Sequence, residues 1–307
     1  MMHGSHPWNA AVPDTLLSHV LLPFANILIL LGVGLALHWQ DFRAIAREPR
    51  PVAVGLVAHY LCLPILGFAM AWMFRDTPAI AIGFVLVAAC PSASVSNLLS
   101  YLGRGNAALA VTLTVISSLA TLASVPLLVD VAAQWLGGRA LGLRLPFGDT
   151  AVRLGLLVLL PLTIGMGLRA FAPALARRLR PWLQRLGLAL LIAVVVVYVV
   201  QNNALFADSL RRIGPAVAMM GLGALATGLA LGVATRLSRP DTLTLGMETG
   251  VQNCMLALLV ALTMMHSPEA AMPAIVYGVL MFAPAFALVW LGRRFLPRPR
   301  SVDNDGV

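Results

Sequence analysis

One carboxylate stands apart from the other acids of the chain. Glu248 lies inside the run TLTLGMETGVQNCMLALLVALTMM (242–265), which holds no other charged residue. A charged side chain at membrane depth costs about 3 kcal/mol even on the most lenient scales, so Glu248 demands a cation, a proton or an arginine. No arginine falls in the middle of an apolar run, which favours cation binding; the alternative is a protonated structural carboxyl. Neutral oxygens recur in two other runs, at Ser96 and Asn97 just after Pro91 and at Thr114. Hard cations such as Na⁺ take several oxygen ligands, and one carboxylate with hydroxyls, amides and unwound backbone carbonyls provides them. The bland reading is that Ser and Thr bond their own helix. His59, in VAHYLCLP (57–64), is either a packing residue or a proton-sensitive, ion-lining group.

The elements that must position these groups are membrane helices. Of 307 residues, 60% are apolar and 11% charged, with a mean hydropathy of +0.89. At about 20 residues per crossing this is enough for about nine helices, and it excludes a soluble enzyme, a disulfide scaffold and a disordered chain. All 21 basic residues are arginines in short clusters, so the net charge of +9 makes no stripe for nucleic acid. Cys62, Cys90 and Cys254 lie far apart in apolar runs and read as free thiols packed as small apolar groups. No basic residue precedes the first long apolar run, which argues against a cleaved signal peptide.

The pattern predicts an all-α polytopic membrane protein with nine transmembrane helices in one domain. They fall at about 15–37, 51–74, 78–103, 106–130, 152–171, 182–204, 213–236, 241–266 and 270–293, with a polar tail over 297–307. With the N-terminus outside, the inside loops carry fifteen of the 21 arginines and the outside loops six. The positive-inside rule therefore predicts a multi-pass protein of the cell inner membrane with a cytoplasmic C-terminus. The third and eighth runs are poor simple anchors. One carries Pro91, several serines and Asn97; the other carries Glu248, Gly250, Gln252 and Asn253. Two interrupted apolar segments at corresponding places in two halves of a chain point to a secondary transporter built on inverted repeats.

At these residues the chain resembles the bile acid:sodium symporter family. The resemblance runs from GVGLAL (32–37) to the final spans and is strongest in CPSASVSNLLSYLGRGNAALAVTLT (90–114) and ETGVQN (248–253). It implies two inverted repeats whose broken helices cross at mid-membrane, beside a panel formed by the first, fifth and sixth spans. It also implies two Na⁺ ions as the coupled ions and no organic cofactor. The first site would use Ser96, Asn97, Thr114 and Glu248. The second would use Glu248, Gln252 and the carbonyls of Thr249 and Val251, with His59 where the family usually has Gln. Asn253 and Asn97 would face the substrate cavity. Ala110 stands where the first site usually has a further hydroxyl, Ser92-Ala93 replaces a Gly-Gly and implies a milder break, and Met281 replaces a family His.

The function expected is sodium-coupled uptake of a small organic anion, bile-acid-like or a small carboxylate, by alternating access. Because Ala110 and His59 depart from the sodium sites, sodium-independent or proton-linked transport is the alternative. An intramembrane hydrolase using Ser96 and His59 lacks a third activating group, and an oxyanion exporter has only Cys90 to recommend it. The partners expected are the lipid bilayer and the anion, with no nucleic acid.

Overall fold

Proline marks where many of the helices begin. A computed structural model describes residues 16, 20–37, 49–137, 142–143 and 145–296. Its helices are α1 (Leu22–Gly34), α2 (Pro49–Met73), α3 (Pro78–Ala89), α4 (Ser94–Leu102), α5 (Ala107–Trp135), α6 (Phe147–Phe171), α7 (Pro173–Gln201), α8 (Asn203–Ala234), α9 (Arg239–Gly250), α10 (Cys254–Met264) and α11 (Pro268–Phe295). A proline occupies the first or second position of α1, α3, α7, α9 and α11, where its missing N–H costs nothing. There are no strands among the described residues. Six of the helices are long and apolar enough to cross a membrane, and α1, α3 and α10 are shorter apolar helices.

The outer faces confirm the solvent that composition implies. Val57, Leu61 and Ile65 on α2, Leu156, Leu160 and Ile164 on α6, and Leu188, Ile192, Val196 and Val200 on α7 are all exposed. Each set repeats every four residues, so it forms one apolar stripe along its helix. Stripes of this length face lipid. By contrast α3, hydrophobic all round, is buried at every residue from Ala81 onward.

Two helix groups divide the molecule. In one, α1 packs on α6 and α7; in the other, α3 is surrounded by α2, α5 and α11, and α8 lies along α9 and α11. Where α1 and α6 meet, Gly34 and Gly165 face one another so closely that neither has room for a side chain. Gly221 and Gly223 likewise pack, against Tyr277 and Leu66. Gly167, by contrast, faces open space, since nothing lies within 4 Å of a Cβ built there.

Prolines also leave carbonyls that the fold must satisfy. Pro161 cannot donate to Leu157, and the preceding turn, Gly155–Leu159, widens to i→i+5 bonding. Asn26 of α1, fully buried, donates its amide to the Leu157 carbonyl at 3.1 Å. Pro64 has the same effect in α2, where the wide turn is Ala58–Cys62 and contains His59.

The helices also run past the expected spans. α7 starts at Pro173 rather than near 182, and α8 starts at Asn203 rather than near 213. Charge marks where lipid ends, but Arg, Ala and Leu are good helix formers, so the backbone continues helical into the polar zone. The tail at 297–307 and both chain ends lie outside the described residues.

α8 approaches α9 through Gly228 and Gly232, one turn apart on the same face. A Cβ at Gly228 would strike the backbone of Leu245, and one at Gly232 would meet Thr242 at 2.8 Å. We predict that Gly228→Val destabilises the protein by about 1–3 kcal/mol, the usual cost of overpacking, whereas Gly167→Ala does not. Melting temperatures in detergent check this; equal loss in both variants would refute the close approach of α8 and α9.

Candidate functional site

Pro91 ends α3. Cys90 takes an extended conformation, as the residue before proline must, and the chain stays extended to Ala93 before α4 begins at Ser94. In the second half, α9 ends at Gly250, Val251 is extended, and α10 starts after Asn253. These two breaks are joined backbone to backbone. Ala93 N–H donates to the Val251 carbonyl at 2.9 Å and Asn253 N–H to the Pro91 carbonyl at 2.8 Å, an antiparallel bridge centred on Ser92 and Gln252. Each break thus satisfies part of the other's backbone, as a buried irregular segment requires.

Glu248, on the last turn of α9, points into this junction and is 2% exposed. Its Oε2 accepts from Ser92 Oγ at 2.7 Å and Thr114 Oγ1 at 2.9 Å, and its Oε1 from Ser96 Oγ at 2.5 Å. Thr114 Oγ1 also lies 3.2 Å from Asn97 Oδ1. Ser92 Oγ lies 3.3 Å from both Thr114 Oγ1 and Ser117 Oγ. The structure therefore brings Ser96, Asn97, Thr114 and Glu248 together, from α4, α5 and α9.

This cluster holds more oxygen than it has protons to share. Ser96 has one hydroxyl proton but two close acceptors, Glu248 Oε1 and the Ala93 carbonyl at 2.7 Å. Ser117 is divided between the Thr114 carbonyl at 3.0 Å and Ser92. The hydroxyls of Ser92, Ser96, Thr114 and Ser117 cannot each donate to every oxygen beside them. Lone pairs without protons suit a positive ion, and a proton on Glu248 would ease the same shortage.

Gln252 and His59 make a second locus, both turned to the Glu248 carbonyl. Gln252 is fully buried and donates Nε2 to the Thr249 carbonyl at 2.7 Å, while its Oε1 has no partner among the described residues. An unpaired buried acceptor costs about 1–3 kcal/mol unless a ligand meets it. His59 Nε2 lies 3.0 Å from the Cys90 carbonyl, and its ring also faces the Glu248 carbonyl. The Val251 carbonyl is already engaged by Ala93, which leaves one lone pair for any ion. The Thr249 hydroxyl bonds its own helix at Leu245.

Asn97 and Asn253 are half-buried. Asn253 caps α10, accepting from Leu256 N–H at 3.1 Å. Its side-chain oxygen thus accepts one bond and keeps a second lone pair.

Ser96 bonds Glu248 and Ala93, whereas His59 bonds Cys90, so the nucleophile–base pair of the hydrolase reading is not assembled. Cys90 is fully buried; Cys62 and Cys254 are half-buried, and all three are free thiols. Reading the sequence missed Ser92 and Ser117 as members of the cluster. The signal available was the spacing Thr114, Ser117, Ser118, Thr121, a polar stripe of helical period on an otherwise apolar α5.

The family profile described as "Sodium Bile acid symporter family" matches residues 23–209, which include the first break and stop short of Glu248. A probable chloroplast sodium/metabolite cotransporter of Oryza sativa subsp. japonica is 31% identical over 269 residues, 86% of this chain and 62% of the rice protein. An uncharacterized sodium-dependent transporter of Bacillus subtilis is 29% identical over 86% of this chain and 80% of its own length. The human hepatic sodium/bile acid cotransporter is 26% identical over 94% of this chain and 82% of its own length. The chain therefore spans about three fifths of the rice relative. Family and relatives alike are transporters rather than enzymes. With more than half of its residues matched by the family's profile and relatives aligned across both breaks, the chain belongs to the sodium bile acid symporter family.

Proposed function

We propose that this protein is a secondary transporter that couples inward movement of a small organic anion to Na⁺. The observation that carries the reading is the oxygen cluster around Glu248, rich in lone pairs, short of protons, and without an arginine among its described partners. The names of the relatives, sodium/metabolite and sodium/bile acid cotransporters, support sodium as the coupled ion. On this reading the helix pairs α3–α4 and α9–α10 are two broken membrane helices, which makes nine crossings with the other seven. The paired breaks are the crossing point of two inverted repeats. α1, α6 and α7 form the panel, and the N-terminal ends of α4 and α10 offer positive dipole ends to a carboxylate. The orientation is N-terminus out and C-terminus in, in the cell inner membrane.

Glu248→Gln keeps the size and removes the charge. Wild-type protein gains thermal stability in Na⁺ over choline; saturation at about 100 times the dissociation constant adds about 2.7 kcal/mol. The variant loses this shift and its sodium-driven anion uptake falls at least about tenfold, an effect of the order of a lost charge–ion contact. Normal uptake by Glu248→Gln with unchanged sodium dependence would show the assignment to be wrong.

His59 favours a second reading of the coupling. Its ring engages the Cys90 carbonyl and reaches the Glu248 carbonyl, taking up lone pairs of the second locus. Tyr60 on its own helix, Cys90 after α3 and Glu248 on α9 are the titratable residues beside it. One Na⁺ per cycle is then expected, giving a Hill coefficient near 1 for sodium in uptake. His59→Gln restores an amide oxygen and raises the coefficient toward 2. A wild-type coefficient near 2 rejects this reading, and uptake driven by a pH gradient without Na⁺ replaces it with proton coupling.

A further inference from the structure

We propose that Ser92 Oγ is a direct ligand of the cation held at Glu248, with Ser117 as its positioning residue. The inference rests on the cation reading of Glu248 and adds a member to that site from an unexpected place, the link between α3 and α4.

Ser92 is 2% exposed, and its backbone lies at the centre of the bridge to Gln252. Pro91 on one side and the bond from Ala93 N–H to Val251 on the other fix the direction in which its side chain leaves the chain. Ser117, on the same face of α5 as Thr114, receives the Ser92 N–H at 3.4 Å and stands 3.3 Å from Ser92 Oγ. The hydroxyl is therefore held from both ends, by its own backbone and by Ser117, with its oxygen beside Glu248 Oε2.

Separations within the cluster distinguish a cage from a chain of hydrogen bonds. Adjacent oxygens around a cation with bonds of about 2.4 Å lie about 3.4 Å apart, whereas hydroxyl–oxygen hydrogen bonds cluster near 2.7–2.8 Å. Ser92 to Thr114 at 3.3 Å and Thr114 to Asn97 at 3.2 Å have the former spacing. Ser92 to Glu248 at 2.7 Å has the latter. Ser92 thus donates its proton to the carboxylate and keeps its lone pairs, with Thr114 Oγ1 and Ser117 Oγ each 3.3 Å away. Ala110, one turn before Thr114 and on the same face of α5, has no oxygen to offer there, and Ser92 brings one from the α3–α4 link. A cation so held draws on the α3–α4 link, α4, α5 and α9 together.

The test is the Na⁺ midpoint of the thermal shift in detergent for wild type, Ser92→Ala, Ser92→Cys, Ser118→Ala and Glu248→Gln. NaCl replaces choline chloride at constant ionic strength. Among the described residues Ser118 donates to the Thr114 carbonyl, and it controls for loss of a buried hydroxyl on α5. Ser92→Cys keeps nearly the same shape while replacing a hard oxygen by a soft sulfur, which disfavours Na⁺; it serves if Ser92→Ala melts too low in choline to be titrated. The expected result is a midpoint raised about tenfold or more in both Ser92 variants and unchanged in Ser118→Ala. Wild-type midpoints in both Ser92 variants, with the shift lost in Glu248→Gln, overturn the role of Ser92 and leave that of Glu248 standing. No Na⁺ shift in wild type overturns the cation reading itself, and the role of Ser92 with it.

Discussion

The constraint that organises the molecule is a carboxylate with nowhere to go. Glu248 sits 2% exposed at the end of a helix whose continuation is apolar, where an unpaired charge is costly. Charge-assisted hydrogen bonds from Ser92, Ser96 and Thr114 are each worth about 1.5–3 kcal/mol, of the same order as the several kcal/mol that burial of an ion costs. They hold the carboxylate in place but bring no opposite charge. To deliver these hydroxyls, α4 must begin just after the first break, α5 must lay its polar stripe against it, and α9 must end where the second break begins. The breaks are the condition for the site.

Breaking a helix in an apolar setting releases backbone groups that lipid cannot satisfy, and several interruptions among the described residues have specific partners. The two breaks pair with each other. The carbonyl freed by Pro161 is met by Asn26 from another helix. The wide turns before Pro64 and Pro161 let the chain absorb a proline without ending the helix. In α2 that wide turn is what carries His59 inward to the Cys90 carbonyl. Local backbone accounting and site construction are here the same event.

The legible part of this design was the part carried by rarity. One acid in an apolar run and Ser, Asn and Thr beside a Pro stand out because membrane helices exclude them, and Glu248, Ser96, Asn97 and Thr114 do meet. Ser92 was hidden because it reads as a substitute for a glycine that merely softens a break. Ser117 was hidden because serine in a helix ordinarily bonds its own backbone, as Ser118 does. The pairing of Ala93 with Val251 joins residues far apart in the chain through main-chain atoms, which leave no trace in side-chain types. The overrunning ends of α7 and α8 were hidden for another reason: arginines report the edge of lipid, while helix formation depends on propensity and continues beyond it.

How an ion at this cluster could bias a solute follows from which segments it touches. Its oxygens come from the α3–α4 link, α4, α5 and α9, and none comes from α1, α6 or α7. An ion there stiffens one helix group without binding it to the other. A ligand shifts a conformational equilibrium only by its differential affinity for the two states, so an ion confined to one group cannot by itself choose between two positions of that group against its neighbour. What it can set is the position of the starts of α4 and α10, because the paired breaks tie both to the cluster. Asn97 and Asn253 stand at those starts, and α10 in turn packs on α1. A solute bound there is touched by both groups, so it senses their relative position directly and the ion only through the geometry of the breaks. Coupling on this reading is preorganisation: the ion arranges the half-helix ends, and the anion, meeting them against α1, selects the state.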